Sequence, residues 1–540
     1  MVWTKIKKNW FIIAVVVLAS FLRLYNLHIL PTSLFGDELD VGYQAYSLLK
    51  TGRDYSGNFL PLQPQSLAEW RTPLFIYSTI PFVAFWGITP ISLRLLPSLM
   101  GILNVILVYI FVSKNFSNKK KFGLSLADVS AFVLAINPWH IQYSRAAFEV
   151  TEMITFILLG LMFFIHANRN KGKHLWLSVL FFLLAPWTYN TPKFFIPFFC
   201  LCLILIYWKE MLKLNIKEYL YAFLIGLLLG LPLLFNTLSG QGSARFNNIS
   251  IFSDPTLEKV ISENREIDTS MPKVFHNKIT FFGSHFVENY LGALNPQFLF
   301  LYGDTNPRHS IEGQGLFYAI DLLLLSIGIK FFFSKEDKKI KSIVLSFILI
   351  GILPSALTID GANHATRLIL ILVPLVILIS YGLVHSKKLI WLIYLPFLCV
   401  CIFFFVHDYF VHNPINSQVW WHYGWSESIS YIKEHQSEYE RVVISDKGEP
   451  PQIFFLANYE YDPSLWQKKV TGKFYFHSFD NQSVYDLGSK LDNKTLYLAT
   501  AKEVGIDLLH EPERTPKDLN LLHTVKYPSG DPAFYLFSKK

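Results

Sequence analysis

The chain has 540 residues, 52% of them hydrophobic and only 16% charged, with a formal net charge of +8. That excludes an ordinary soluble domain, in which about a quarter of the residues are charged, and the mean hydropathy of +0.33 agrees. The basic residues fall in short runs between apolar blocks, as in cytoplasmic loops, so the excess positive charge does not argue for a nucleic-acid partner.

The apolar blocks are roughly 15–21 residues long, enough for membrane helices. The N-terminus carries Lys5, Lys7 and Lys8 and turns apolar at Trp10. No small-residue cleavage site follows, so 10–27 reads as an uncleaved first span with its N-terminus in the cytoplasm. Segment 28–92 is then the first outer loop. Its apolar block, 72–87, carries Pro73 and Pro81 and is followed by Pro90, which favours a re-entrant or interfacial segment over a crossing. Basic runs at 119–121, 169–173, 209–217, 335–341 and 387–388 are assigned to the cytoplasm. Spans are then expected at 93–112, 123–138, 147–167, 175–190, 194–208, 219–235, 316–333, 342–358, 368–385 and 389–407. The fold class is a polytopic α-helical membrane protein of about 11–13 spans, with a long outer loop at 236–315. The membrane domain is expected to be 1–407.

Segment 408–540 is polar and alternates predicted helices (426–435, 452–459) with predicted strands (441–445, 495–500, 522–527, 533–538). A small extracytoplasmic α/β domain is expected. Trp420, Trp421 and Trp425 at its start are expected at the membrane interface. The four cysteines, Cys200, Cys202, Cys399 and Cys401, all lie in apolar blocks and imply no disulfide framework.

The charge rule puts four chemically loaded segments outside: FGDELD (35–40), NPWHIQYSRAAFE (137–149), FLYGDTNPRHS (300–310) and DGANHATR (360–367). Random polar loops would divide between the faces, so this convergence points to one site. Asp37 and Glu38 are candidate catalytic carboxylates, able to take a proton from a hydroxyl or to ligate a metal. Capping by Asp37 of an amphipathic helix, 38–49, is the plainer alternative, and Asp40 reads as solvated. Arg71, Arg145, Arg308 and Arg367 are candidate donor-phosphate ligands, because the guanidinium fork matches phosphate oxygens. Their alternatives are lipid-facing anchors and, for Arg145 with Glu149, a plain i,i+4 ion pair. Glu149, Asp304, Asn306, His309 and His364 are candidate substrate-binding groups, a hydrated turn being the alternative at 304–309. There is no HExxH, Walker A, GxGxxG or Ser-His-Asp set. No cofactor is therefore expected, and a divalent metal is left as an alternative.

Together FGDELDVGYQAYSLLKTGRD, EWRTPLFIYSTIPFVAFWG, INPWHIQYSRAAFE, FLYGDTNPRHS and HATRLILILVP resemble lipid-carrier-dependent glycosyltransferases of the GT-C fold. Within these the chain resembles the prokaryotic branch related to protein O-mannosyltransferases and the lipid A aminoarabinose transferase. The resemblance implies a polyprenyl-phosphate sugar donor, an acceptor hydroxyl on protein, lipid or glycan, an inverting mechanism, and an active site on the outer face of the plasma membrane. It also implies that an acid of the first outer loop is the catalytic base, which falls on Asp37. Arg71 falls at a phosphate-binding position. The acid that relatives often carry just before it is Trp70 here, with Glu69 one step earlier, which speaks against a metal at that point. Segment 236–315 is too short for the β-trefoil of the protein mannosyltransferases. Transfer of a whole oligosaccharide and transport of a lipid-linked sugar are the competing readings. A transporter is expected to carry internal repeats and polar groups near the bilayer midplane, and neither is evident.

Overall fold

A computed structural model describes residues 2–67, 69–117, 119–479 and 483–540. The side chains of residues 2–9, among them Lys5, Lys7 and Lys8, lie outside the described residues. The chain divides into two compact units. One comprises Met1–Tyr25, Glu69–Phe75 and Pro97–His407, the other Asn26–Ala68, Ile76–Leu96 and Asp408–Lys540. The second unit thus joins two stretches of the N-terminal part of the chain to residues 408–540.

Among the described residues seven helices are long and apolar enough to cross a membrane, and four apolar helices are shorter. Pro73–Trp86 has 14 residues, about 21 Å of helix, short of the roughly 30 Å of a hydrocarbon core. Three expected spans need correction. Segment 175–190 holds a helix of 14 residues, Leu175–Thr188. Segment 123–138 holds a helix of only 11 residues, Leu126–Ile136. It stops because a residue before proline is driven out of helical geometry: Asn137 has ψ 125°, and the chain restarts as Pro138–Ser144 with the Asn137 side chain accepting from the His140 N–H. The expected span 316–333 begins only at Asp321 and runs to Lys335.

The first unit is packed by small residues and by buried polar clamps. Helices Asp321–Lys335 and Leu372–His385 meet at Gly328 and Gly382, where an added Cβ would lie 1.9 Å from the carbonyl oxygen of Leu378 or Leu324. Only glycine allows backbones so close. Arg23, at the end of Val2–Leu24, is fully buried. Its Nη1 donates to the carbonyls of Ala19 and Ala135, and its Nη2 lies 2.7 Å from His140 Nδ1. These contacts tie the first helix to the helices on either side of Asn137. The long 236–315 loop is itself helical, with Ala244–Ile249, Leu257–Ile267 and Lys278–Gly292 as its main pieces. A short hairpin joins β1 (Lys120–Lys121) to β2 (Leu124–Ser125).

The second unit is built on a five-stranded mixed sheet of β3 (Arg441–Ile444), β4 (Phe474–Phe476), β5 (Thr495–Thr500), β6 (Leu519–Lys526) and β7 (Pro532–Lys539). The order is β4-β3-β5-β7-β6. β3 runs parallel to β4 and β5, and β7 antiparallel to β5 and β6. The apolar side of helix Gly36–Thr51 packs into this unit: Leu39, Tyr43 and Tyr55 share one core with Trp425, Ile429 and Phe454. Tyr43 Oη donates to the Tyr461 carbonyl at 2.8 Å, and Gln467 Nε2 donates to Ser47 Oγ, Thr51 Oγ1 and the Asp54 carbonyl. Burial of that apolar stripe is why 26–68 joins the C-terminal unit. It also corrects the reading of the tryptophans. Trp421 and Trp425 are buried, with Trp425 stacked on Phe454 at 4.6 Å, and only Trp420 is exposed.

Candidate active site

The acids of FGDELD take three different environments. The helix runs Gly36–Thr51, with Phe35 as its N-cap residue and no side-chain cap. Asp37 is therefore not the cap; it stands in the first turn, where helix N–H groups favour an anion, and its side chain is exposed. Glu38 is fully buried. Arg94 Nε donates to its Oε1 at 2.9 Å and Arg94 Nη2 to its Oε2 at 2.8 Å. Arg94 also donates to the carbonyls of Pro31 and Ser33 and lies 5.7 Å from the Trp421 ring. Glu38, expected beside Asp37 as a catalytic carboxylate, is thus part of a buried clamp on the segment leading into the helix. Asp40, expected to be solvated, is also buried and accepts from Tyr55 Oη at 2.6 Å and Ser66 Oγ at 3.0 Å.

In the first unit the structure brings Arg71, Glu69, Glu149 and Arg245 together. Arg71 Nη1 is 3.8 Å from Glu149 Oε1 and its Nη2 3.8 Å from Glu69 Oε1. These are ion pairs longer than hydrogen bonds. Arg245 Nη1 donates to Glu69 Oε1 at 2.9 Å. Arg145, expected to hold phosphate, is fully buried and donates to the carbonyls of Leu22 and Tyr25 at 2.9 and 2.8 Å. It satisfies carbonyls at the end of the first helix, where no intrahelical donors remain.

The clusters at 137–149, 300–310 and 360–367 also converge. Gly303 has φ 71°, and an added Cβ would meet the Gln314 carbonyl oxygen at 2.5 Å, so this turn requires glycine. The turn aims Asp304 inward. Its Oδ2 accepts from the Ala365 N–H at 2.8 Å and its Oδ1 from the Asn306 N–H at 2.9 Å. Burial raises the Asp304 pKa against these two N–H bonds. Asn306 Oδ1 accepts from the Arg308 N–H at 3.0 Å, and Gln142 Nε2 donates to the Arg308 carbonyl at 2.7 Å. His309 Nδ1 lies 3.0 Å from Tyr143 Oη and 3.3 Å from Thr366 Oγ1. The His364 ring is 5.4 Å from that of His309. Burial and then the Arg367 charge push the His364 pKa down to about 4. A guanidinium so close makes the two histidines a poor cation site. Arg367 Nη1 donates to Thr358 Oγ1 at 2.8 Å and pairs with Asp360.

Arg245 and Arg367 line one small pocket of about 50 Å³, with Thr191 and Thr358 beside them and Phe194 and Phe246 on the apolar side. The two phenyl rings lie 4.7 Å apart. Sequence reasoning missed Arg245. It is one of three arginines in segment 236–315, with Arg265 and Arg308, and nothing local sets it apart.

No protein-family model matches this sequence, and no curated protein does. Among solved structures it matches the crystal structure of ArnT from Cupriavidus metallidurans bound to undecaprenyl phosphate, at 9% identity and a TM-score of 0.54. The match covers 98% of this chain and 97% of that one. This chain has the GT-C fold. The same transferase in its apo state aligns with a TM-score of 0.44 at 9% identity, over 97% of this chain and 96% of that one. Identity this low carries the architecture and leaves the chemistry to be argued from the residues.

Proposed function

We propose that this protein is a membrane glycosyltransferase that moves a sugar from a polyprenyl-phosphate donor to an acceptor hydroxyl, with inversion. The observation that carries the reading is a pocket whose lining combines Arg245 and Arg367 with Phe194 and Phe246. That combination suits a phosphate joined to an apolar chain. The shared fold with a protein crystallised with undecaprenyl phosphate supports it. Arg71, with its long ion pairs, is assigned to the same phosphate-binding set. Arg308, bound to Asn306 through its backbone and side chain, is assigned to the rim.

In the reaction the acceptor oxygen attacks the anomeric carbon opposite the phosphate. The bond from that carbon to the phosphate oxygen breaks, the acceptor proton passes to the Asp37 carboxylate, and polyprenyl phosphate leaves with the bonding electrons. Positive charge at the phosphate lowers the barrier by stabilising the leaving group. Asp37 is assigned as base because its side chain is exposed to an acceptor, whereas those of Glu38 and Asp40 are buried. Glu149, Asp304, Asn306, His309 and His364 are assigned to positioning the arginines and the sugar. The charge pattern supports an N-terminus inside and a catalytic face outside, and the family resemblance supports the plasma membrane as the location.

The test is purified protein given synthetic undecaprenyl-phosphate sugars and acceptor extracts, with mass spectrometry following released undecaprenyl phosphate. Wild type should turn over a single-sugar donor, and Asp37→Asn should lose about 10²–10⁴-fold. Near-normal turnover by a folded Asp37→Asn protein would overturn the base assignment. Turnover of no donor with any extract would overturn the reading. Activity restricted to lipid-linked oligosaccharides would replace it with whole-glycan transfer.

A further inference from the structure

A second lipid-facing feature lies in the first unit and takes no part in the chemistry above. The β1–β2 hairpin turns through Phe122 at φ 50° and Gly123 at φ 84°. A bulky residue at positive φ is held against its own preference, and here it carries an exposed phenyl ring. That ring meets Trp391 edge-on at 5.4 Å, and Trp391 is fixed by a 2.8 Å hydrogen bond to the Leu383 carbonyl. Between them opens a pocket of about 500 Å³ walled by Phe122, Trp391, Leu392, Leu395 and Pro396, with Lys388 as its one charged lining residue.

The pocket lies among several basic groups. Lys121 Nζ sits 5.6 Å from the Phe122 ring, and Lys120, Lys387 and Lys388 are exposed. Desolvation, and then the charges of Lys335 and Lys121, lower the Lys119 pKa. Glu336, nearby, accepts from the Ser117 N–H and from Tyr381 Oη. The helix that bears Lys388 and Trp391 runs Lys388–His407 and buries only Trp391, Tyr394, Leu398 and Phe405. Its remaining surface is apolar and suits lipid.

We propose that this pocket binds an anionic phospholipid, its acyl chain against Trp391 and Leu395 and its phosphate on Lys388 and Lys121. An apolar wall alone would accept any lipid; Lys388 in its lining and Lys121 beside Phe122 select a negative headgroup.

The test is native mass spectrometry of the full chain, titrated with phosphatidylglycerol or phosphatidylcholine of the same acyl composition. Wild type should bind phosphatidylglycerol at least tenfold more tightly. Lys388→Gln and Lys121→Gln should each weaken phosphatidylglycerol about fivefold, the factor expected for one lysine near a lipid surface, and leave phosphatidylcholine unchanged. Phe122→Gly should weaken both lipids while leaving the melting temperature at or above wild type, since it removes the ring and relieves the backbone together. A second readout leaves the charges intact: dibrominated phosphatidylglycerol should quench the Trp391 share of the fluorescence, taken as wild type minus Trp391→Phe, more than dibrominated phosphatidylcholine does. Equal affinity for the two lipids, or lysine variants that bind phosphatidylglycerol like wild type, would overturn the proposal.

Discussion

Replacing Glu38 by glutamine separates a catalytic carboxylate from a structural one. Glu38 and Arg94 are both fully buried, and four acceptors surround the guanidinium: the two Glu38 oxygens and the carbonyls of Pro31 and Ser33. Glu38→Gln keeps the shape and one acceptor oxygen. It removes the negative charge and turns an amide N–H₂ toward a cation that has no route to water. Breaking a buried pair from one side costs about 3–5 kcal/mol, because the charge left behind is uncompensated. For a unit of this size each kcal/mol lowers the midpoint by about 2–4 °C, so the thermal transition of the second unit should fall by roughly 6–20 °C. Glu38→Leu with Arg94→Leu should recover part of this, since no charge remains buried. It should not recover all, because the Pro31 and Ser33 carbonyls lose their donors. The assay is differential scanning fluorimetry in detergent, beside donor turnover measured well below the transition. The clamp predicts a large fall in midpoint with turnover per folded molecule within a few-fold of wild type. An unchanged midpoint with turnover lost 10²-fold or more would refute it and return Glu38 to the chemistry.

The other predictions concern the first unit and the base. Asp37→Asn should leave the melting midpoint within about 1 °C of wild type while removing turnover, since an exposed carboxylate contributes little to stability; a midpoint drop like that of Glu38→Gln would make Asp37 structural. Arg245→Ala and Arg367→Ala should each weaken undecaprenyl phosphate binding by about 10–100-fold, the worth of a charge-assisted hydrogen bond, read by titration calorimetry in detergent; unchanged affinity would remove the pocket from the donor site. His364 has a folded pKa near 4 against about 6.5 unfolded. The unfolded chain therefore binds more protons between those values, and stability must fall as pH drops from about 6.5 toward 4. Melting midpoints measured across that range should fall less steeply in His364→Gln, and an identical slope would refute the contribution.

Periodicity and charge were enough to read the helices, because a membrane helix must satisfy its own backbone and bury an apolar surface over a fixed length. The predicted strand at 495–500 coincides with β5, and the predicted helix at 426–435 begins one residue late. What failed was local. Asn137 and Pro138 broke an expected span, since proline constrains the residue before it whatever the hydropathy of the window. Trp421 and Trp425 were misplaced because an aromatic residue looks the same to composition at an interface and in a core. β4 has only three residues, Phe474–Phe476, too few for alternation to register.

The site was legible as residue types in the right order, and much less as roles. Arginines at span ends are costly unless partnered, so Arg71, Arg145 and Arg367 were visible. The sequence could not say that Arg145 would turn to the Leu22 and Tyr25 carbonyls, because those partners lie some 120 positions away. The same limit decided FGDELD. Successive residues on a helix point about 100° apart, so Glu38 points away from Asp37, while Asp40, three positions on, lies near the same face as Asp37. Whether the buried partner would meet 37, 38 or 40 depended on Arg94, which is 56 residues from Glu38. Arg94 buries with Glu38 and Tyr55 with Asp40, and Asp37 is the acid of the three whose side chain is exposed. The assignment of the base thus rests on where its two neighbours are held.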